Sequence, residues 1–183
     1  PYTTLFRSPN LEVRLITTVA GNVDVEKTTN NALKLVDFFG KKVPVAKGCN
    51  CPLLIQLEDS AEIHGETGMD GFEFPQPIST CLDIHAVEAM RKEILSSDVP
   101  LTIVPIAALT NIALLLTLYP EVKENIAEIV MMGGSLARGN TNTSAEFNTY
   151  VDPHAAQIVF QSGVPLTMVG LDVTSQAVLT NHE

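Results

Sequence analysis

The sequence has 183 residues, with 11 Lys and Arg against 21 Asp and Glu, for a formal net charge of −10. That length fits one domain at ~100–200 residues per domain, and 45% hydrophobic with 17% charged residues is a globular composition, not a disordered one. The acidic balance without a Lys/Arg cluster argues against nucleic acid and against a membrane surface as partner. No uncharged apolar run approaches the ~20 residues of a membrane span.

Residues Pro1 to Ser8 show no periodicity and no signal-peptide pattern, and read as a tail or scar outside the fold. Leu11 to Val19 alternates and is rich in β-branched residues, which predicts a strand. Asp24 caps a predicted helix to about Phe39, with Val25, Ala32, Leu35, Val36 and Phe39 at helical spacing and Gly40 as its stop. Val43 to Ala46 is a second strand. Gly48 to Thr80 carries many Gly, Pro and acidic residues without a sustained period, and a loop of that length is a functional or mobile feature. Cys49, Cys51 and Cys81 are odd in number and lack C-x-x-C spacing. They indicate neither a disulfide framework nor zinc, and free thiols suit a reducing cytoplasm.

Asp83 opens a predicted helix to about Leu95, and Leu101 to Ile106 is a strand. Thr110 to Leu118 is a compact apolar helix ended by Tyr119-Pro120, and Ala127 to Met132 is a strand that runs into Gly133-Gly134. Residues 135–151 read as irregular. Asp152-Pro153 is an N-cap with proline at the first helical position, Gly163 closes that helix, and Pro165 to Val169 is the last strand. Alternating strands and helices predict an α/β fold with a mainly parallel sheet flanked by helices and a Rossmann-like core.

Ligands of such sheets bind beyond the carboxyl ends of the strands. The polar residues found there are Asn22, then Thr110-Asn111, then Asn140, Glu146 and Asn148, then Asp172 and Thr174. Together they can donate and accept hydrogen bonds, as recognition of a polyhydroxyl ligand requires. If the chain is extended there, Glu146 and Asn148 point the same way. The windows fail G-x-G-x-x-G, the P-loop pattern and G-x-S-x-G, which argues against a nucleotide-phosphate cradle and a simple serine hydrolase. His64-Gly-Glu66 lacks the spacing of a helical metal pair, and Asn142-Thr-Ser144 fits a glycosylation sequon without a secretory context. His85, His154 and His182 read as surface or terminal residues. Residue chemistry alone thus leaves an enzyme and a sugar-binding module both open.

Several stretches, in order, resemble the inosine-uridine-preferring nucleoside hydrolases. They are Ile16-Thr-Thr-Val-Ala-Gly-Asn22, Thr28-Thr-Asn-Asn-Ala-Leu33, His64-Gly-Glu-Thr-Gly-Met69, Leu109-Thr-Asn-Ile-Ala113, Val130-Met-Met-Gly-Gly134, Gly139-Asn140 with Ala145-Glu-Phe-Asn148, Asp152-Pro-His-Ala-Ala156 and Met168-Val-Gly-Leu-Asp-Val-Thr174. The resemblance implies cleavage of the N-glycosidic bond of ribonucleosides to ribose and free base. It implies a calcium ion that holds ribose hydroxyls and a water, an aspartate as general base, and a dimer or tetramer. Carried over by position, Asn22 contacts ribose, the Thr110 backbone carbonyl ligates calcium, and Asn140, Glu146 and Asn148 bind ribose hydroxyls. Met132 lines the sugar pocket and His64 lies near the base.

The family's Asp-rich D-x-D-x-G-x-D-D motif is not found before Leu11, and a further calcium aspartate of the family lies past Glu183. The expectation is therefore a partial domain over residues 9–183, incomplete at both ends, inactive when expressed alone, and sticky at an exposed sheet edge. Purine or pyrimidine preference is not legible in these residues. The competing readings are a non-catalytic ribose- or nucleoside-binding protein of the same fold, and an unrelated sugar-phosphate enzyme. The latter is disfavoured by loops whose nearby cation is Arg138 alone.

Overall fold

The computed structural model describes residues 8–58 and 60–178. The expected tail lies outside them except for Ser8, as does His182. The chain forms two compact units, one built on residues up to Cys51 with Gln56–Ser96, the other on Pro52–Ile55 with Ser97 onward.

The first unit contains β1 (Ile16–Thr18), α1 (Val25–Phe38), β2 (Val45–Lys47), α2 (Ala61–His64) and α3 (Ala86–Ser96). β1 and β2 pair in parallel, with Ile16 opposite Val45 and Thr18 opposite Lys47. Successive strand residues point to opposite faces, and β2 uses both. Val45 packs with Ala32, Leu33 and Val36 of α1, while Ala46 packs with Ala86 and Ala89 of α3. Burial of a valine on this scale contributes about 1.5–3 kcal/mol, and covering both faces is the α/β solution. Asp24 caps α1 as expected, its carboxylate accepting from Lys27 N at 2.9 Å. α3 starts at Ala86 and not after Asp83; His85 Nδ1 accepts from Val87 N at 3.3 Å near its start.

The irregular stretch from Gly48 is long, as expected, but it contains α2 and is tied to α1. Asn31 Nδ2 donates to the Thr67 carbonyl at 2.7 Å. Phe72 and Phe74 meet Phe38 edge-on, with ring centroids 5.9 and 5.2 Å away. Asp37 accepts from Ile78 N, Ser79 N and the Ser79 hydroxyl. That hydroxyl, with the two backbone amides, holds the Asp37 carboxyl below its ordinary range.

The second unit contains β3 (Leu101–Ile103), α4 (Thr110–Leu118), a 3-10 helix (Pro120–Asn125), β4 (Ile126–Met132), α5 (Phe147–Val151), α6 (Pro153–Phe160), β5 (Leu166–Val169) and α7 (Leu171–Thr174). The strands are parallel in the order β3-β4-β5, with Ile129 of the central strand opposite Ile103 and Leu166. Leu109, Leu115, Val122, Ile129, Met131 and Val159 are fully buried side chains of this unit. β3 stops short of the predicted Ile106, because Pro105 has no N–H to donate. Its carbonyl still accepts from Met132 N at 2.9 Å. Among the described residues, no helix is long and apolar enough to cross a membrane. The fold class is the expected α/β with parallel sheets flanked by helices.

Candidate active site

The carboxyl ends of β3, β4 and β5 share one rim because the strands are parallel. The chain leaves β4 at Met132 and turns at Gly133-Gly134, where Gly134 takes a left-handed φ of +74°. Its amide donates to Glu146 Oε2 at 2.9 Å, and its carbonyl accepts from Leu171 N at 2.9 Å. Asp172, just past β5, accepts from Leu136 N at 2.7 Å, Ala137 N and the Ser135 hydroxyl. The Leu136 amide, with the other donors, holds the Asp172 carboxyl below its usual value. The loop after β4 is therefore pinned from two sides.

Glu146 is buried, with 3% of its surface exposed. Its carboxylate accepts from Gly134 N, Asn148 N and Thr149 N, so it caps α5 while closing the glycine turn. The condition under which Glu146 and Asn148 would point the same way, an extended chain over residues 146–148, is not met. Glu146 is extended, but Asn148 sits in the first turn of α5, so strand alternation does not aim the two side chains.

The Asn148 side chain bridges two strand ends. Its Nδ2 donates to the Met132 carbonyl at 3.1 Å and the Ile106 carbonyl at 3.4 Å, with Met132 Sδ at 3.2 Å. Asn140 is exposed, and its Oδ1 accepts from Phe147 N at 2.9 Å. The backbone of Gly139 lies against Ala145 so closely that an added Cβ would meet the Ala145 carbonyl oxygen at 2.1 Å. Asn142 Oδ1 accepts from Ser144 N and Ala145 N, closing the same loop from within. Met132, Asn140, Glu146 and Asn148 thus belong to one hydrogen-bonded assembly at the rim.

Thr110 opens α4 and is buried. Its hydroxyl donates to Asp152 Oδ2 at 2.7 Å. Asp152 has no exposed surface; it also accepts from Leu53 N at 2.9 Å and, as the cap of α6, from Ala155 N at 3.0 Å. A buried carboxylate is tolerable because each of these donors compensates its lost hydration.

In the first unit, Asn22 and His64 are linked through Ser60. The Asn22 carbonyl accepts from Ser60 N at 3.0 Å, and its Oδ1 accepts from the Ser60 hydroxyl at 3.3 Å. His64 N in turn donates to the Ser60 carbonyl at 3.1 Å, and the His64 side chain is exposed at the end of α2.

Residues 2–183 match the sequence profile of the family described as inosine-uridine preferring nucleoside hydrolase. The chain belongs to that family. It is 51% identical over 172 residues to the non-specific ribonucleoside hydrolase RihC of Klebsiella pneumoniae, covering 94% of this chain and 57% of that protein. The RihC of Salmonella newport is likewise 51% identical over 173 residues, covering 94% of this chain and 56% of the relative. The purine-preferring ribonucleoside hydrolase of Gardnerella vaginalis superposes with a TM-score of 0.92 at 39% identity, over 98% of this chain and 58% of that one. The chain spans a little over half the length of the relatives it matches.

Calcium takes six to eight oxygen ligands. Among the described residues of this nucleoside hydrolase chain, no three His, Cys, Asp or Glu side chains group as a metal site. Asp152, the carboxylate beside Thr110, already accepts three hydrogen bonds. These residues alone do not fit a complete calcium site. Sequence reading also missed what Asp152 and Asp172 hold, and only the Asp152-Pro153 capping signal was visible. Its bonds reach Thr110 and Leu53, 42 and 99 positions away, where no local pattern extends.

Proposed function

We propose that the whole protein hydrolyses the N-glycosidic bond of ribonucleosides, releasing ribose and free base, with a small-molecule ribonucleoside as its partner. The observation that carries this reading is the clustering of Met132, Asn140, Glu146 and Asn148 at the carboxyl ends of parallel strands, in a chain of this family. In this reading Asn140 and Asn148 bind ribose hydroxyls. Glu146 serves them chiefly by fixing the Gly134 turn and the start of α5. Met132 offers the sugar an apolar wall. Asn22 adds a ribose contact and His64 lies near the base. Glycosidic cleavage passes through an oxocarbenium-like transition state, and hydroxyls held in one geometry lower the ordering cost of reaching it.

Calcium, cytoplasmic location, a role in nucleoside salvage and a dimeric or tetrameric assembly belong to the same proposal. The Thr110 carbonyl is the one calcium ligand assigned to this chain, and the hydroxyl contacts argued here stand without the ion.

The test is reducing-sugar release from inosine and uridine by the whole protein, with Asn148→Ala alongside. The expected result is turnover that falls about 10²-fold or more in the variant, as for loss of a positioned hydrogen-bonding group. A correctly folded protein that binds ribose yet cleaves neither nucleoside would overturn the reading in favour of a binding protein.

A further inference from the structure

An amide side chain has a donating end and an accepting end, and the surroundings of Asn148 decide which one a ligand meets. The atoms around its Nδ2 are the carbonyl oxygens of Met132 and Ile106 and the thioether sulfur of Met132. None of the three donates a hydrogen bond. Turning the amide over would set its oxygen against two carbonyl oxygens and a sulfur lone pair, with no donor on either side. The orientation is thus fixed by chemistry. The backbone is fixed too, since Asn148 N donates to Glu146 Oε1 at 3.0 Å.

We infer that Asn148 offers a ligand its Oδ1 alone, as an acceptor, because the Met132 and Ile106 carbonyls, with the Met132 sulfur beside them, hold the amide this way. The inference rests on the ribonucleoside reading above and sharpens its substrate class. The ribose hydroxyl that meets Asn148 must be free and donating. A group that only accepts, such as fluorine at the same carbon, gains nothing there over hydrogen.

Deoxy and deoxyfluoro inosines, altered at each ribose hydroxyl in turn, are measured as competitive inhibitors of inosine turnover by the whole protein. Binding is read because fluorine itself slows cleavage through an electron-poor transition state. At one ribose position both analogues are expected to bind about tenfold more weakly than the hydroxyl compound, and equally weakly as each other, the loss of one hydrogen bond. Met132→Leu removes the sulfur but keeps both carbonyls that face Nδ2, so the two analogues should still bind equally weakly at that position, and a fluoro analogue that gains over the deoxy one there would overturn the inference. Fluoro analogues that bind like the hydroxyl compound at every position would overturn the inference.

A wild-type protein without turnover would instead sink the hydrolase reading, and the amide orientation is then read without activity. In ligand-free protein the Asn148 side-chain NH2 signals, assigned by their loss in Asn148→Asp, should exchange slowly and shift in Met132→Leu. Free exchange with no shift would overturn the orientation.

Discussion

Two irregular stretches, residues 48–80 and 133–146, look alike in sequence and are built on opposite principles. The first is fastened from outside, by side chains of its host: Asn22 holds Ser60, Asn31 holds Thr67, and Asp37 holds Ile78 and Ser79. It leaves Ile63 80% and Ile78 92% exposed. The second is fastened largely by its own backbone amides, which converge on carboxylates and amides at its edges. Glu146 is nearly buried, and Asp172 gathers three donors of the loop. Buried ties cost most when cut, because the orphaned donors stay dry. Exposed ties are readily replaced by water. In the second stretch the Glu146 end has ties of the buried kind, whereas residues 136–138 and 140–144 are exposed.

The sharpest test of that contrast is Asp152, a buried carboxylate that holds Leu53 of the first stretch from outside. Asp152→Ala orphans Ala155 N, Leu53 N and the Thr110 hydroxyl together, in a site with no exposed surface. The expected loss is about 3 kcal/mol or more, read as a lower urea midpoint. Asp152→Asn keeps the cap and an acceptor, so it should lose less. Equal losses in the two variants would show that the bonds to Thr110 and Leu53 contribute little.

A smaller effect is expected at Gly139. Its φ is not in the left-handed region, so its constraint is purely one of space. An alanine Cβ would meet backbone at 2.1 Å, not a side chain that can swing away. Gly139→Ala should cost about 1–3 kcal/mol, as overpacking does, and should displace Asn140 and so weaken nucleoside binding. A control, Gly71→Ala in the other stretch, has open space around it but a φ of +106°, so its cost is local backbone strain alone and nucleoside binding should persist.

Much of this architecture was legible because it depends on neighbours in the chain. Asp24 and Asp152-Pro153 announced their helices, and alternating strands and helices gave the parallel α/β class. α5 was not legible, since its cap is Glu146, and glutamate is outside the usual capping set. The 3-10 turn after Pro120 and the short helix at 171–174 bury little sequence periodicity to read. The site was visible as a set of residue types, through family likeness, but not as a network. Asn148 bonds Ile106 from 42 positions away, and no spacing rule within a segment predicts that.

The gentlest probe is acid, because both stretches hold a carboxylate whose proton affinity is lowered by donors. Asp37 is lowered chiefly by the Ser79 hydroxyl, and Asp172 chiefly by the Leu136 amide, each from an ordinary value of 3.8. A folded-state value below the unfolded one means that the ties stabilise fully above about pH 4. They are lost as pH falls through the still lower folded values. Protonation then releases Ile78 and Ser79 in one stretch and Leu136 and Ala137 in the other. Amide exchange at these four positions should accelerate on acidification relative to the intrinsic rate. Asp37→Asn should remove the acid response at 78–79 and leave that at 136–137 intact. If Asp37→Asn instead abolishes the acid response at both places, the loops are one cooperative unit, and the distinction between outside and inside fastening fails.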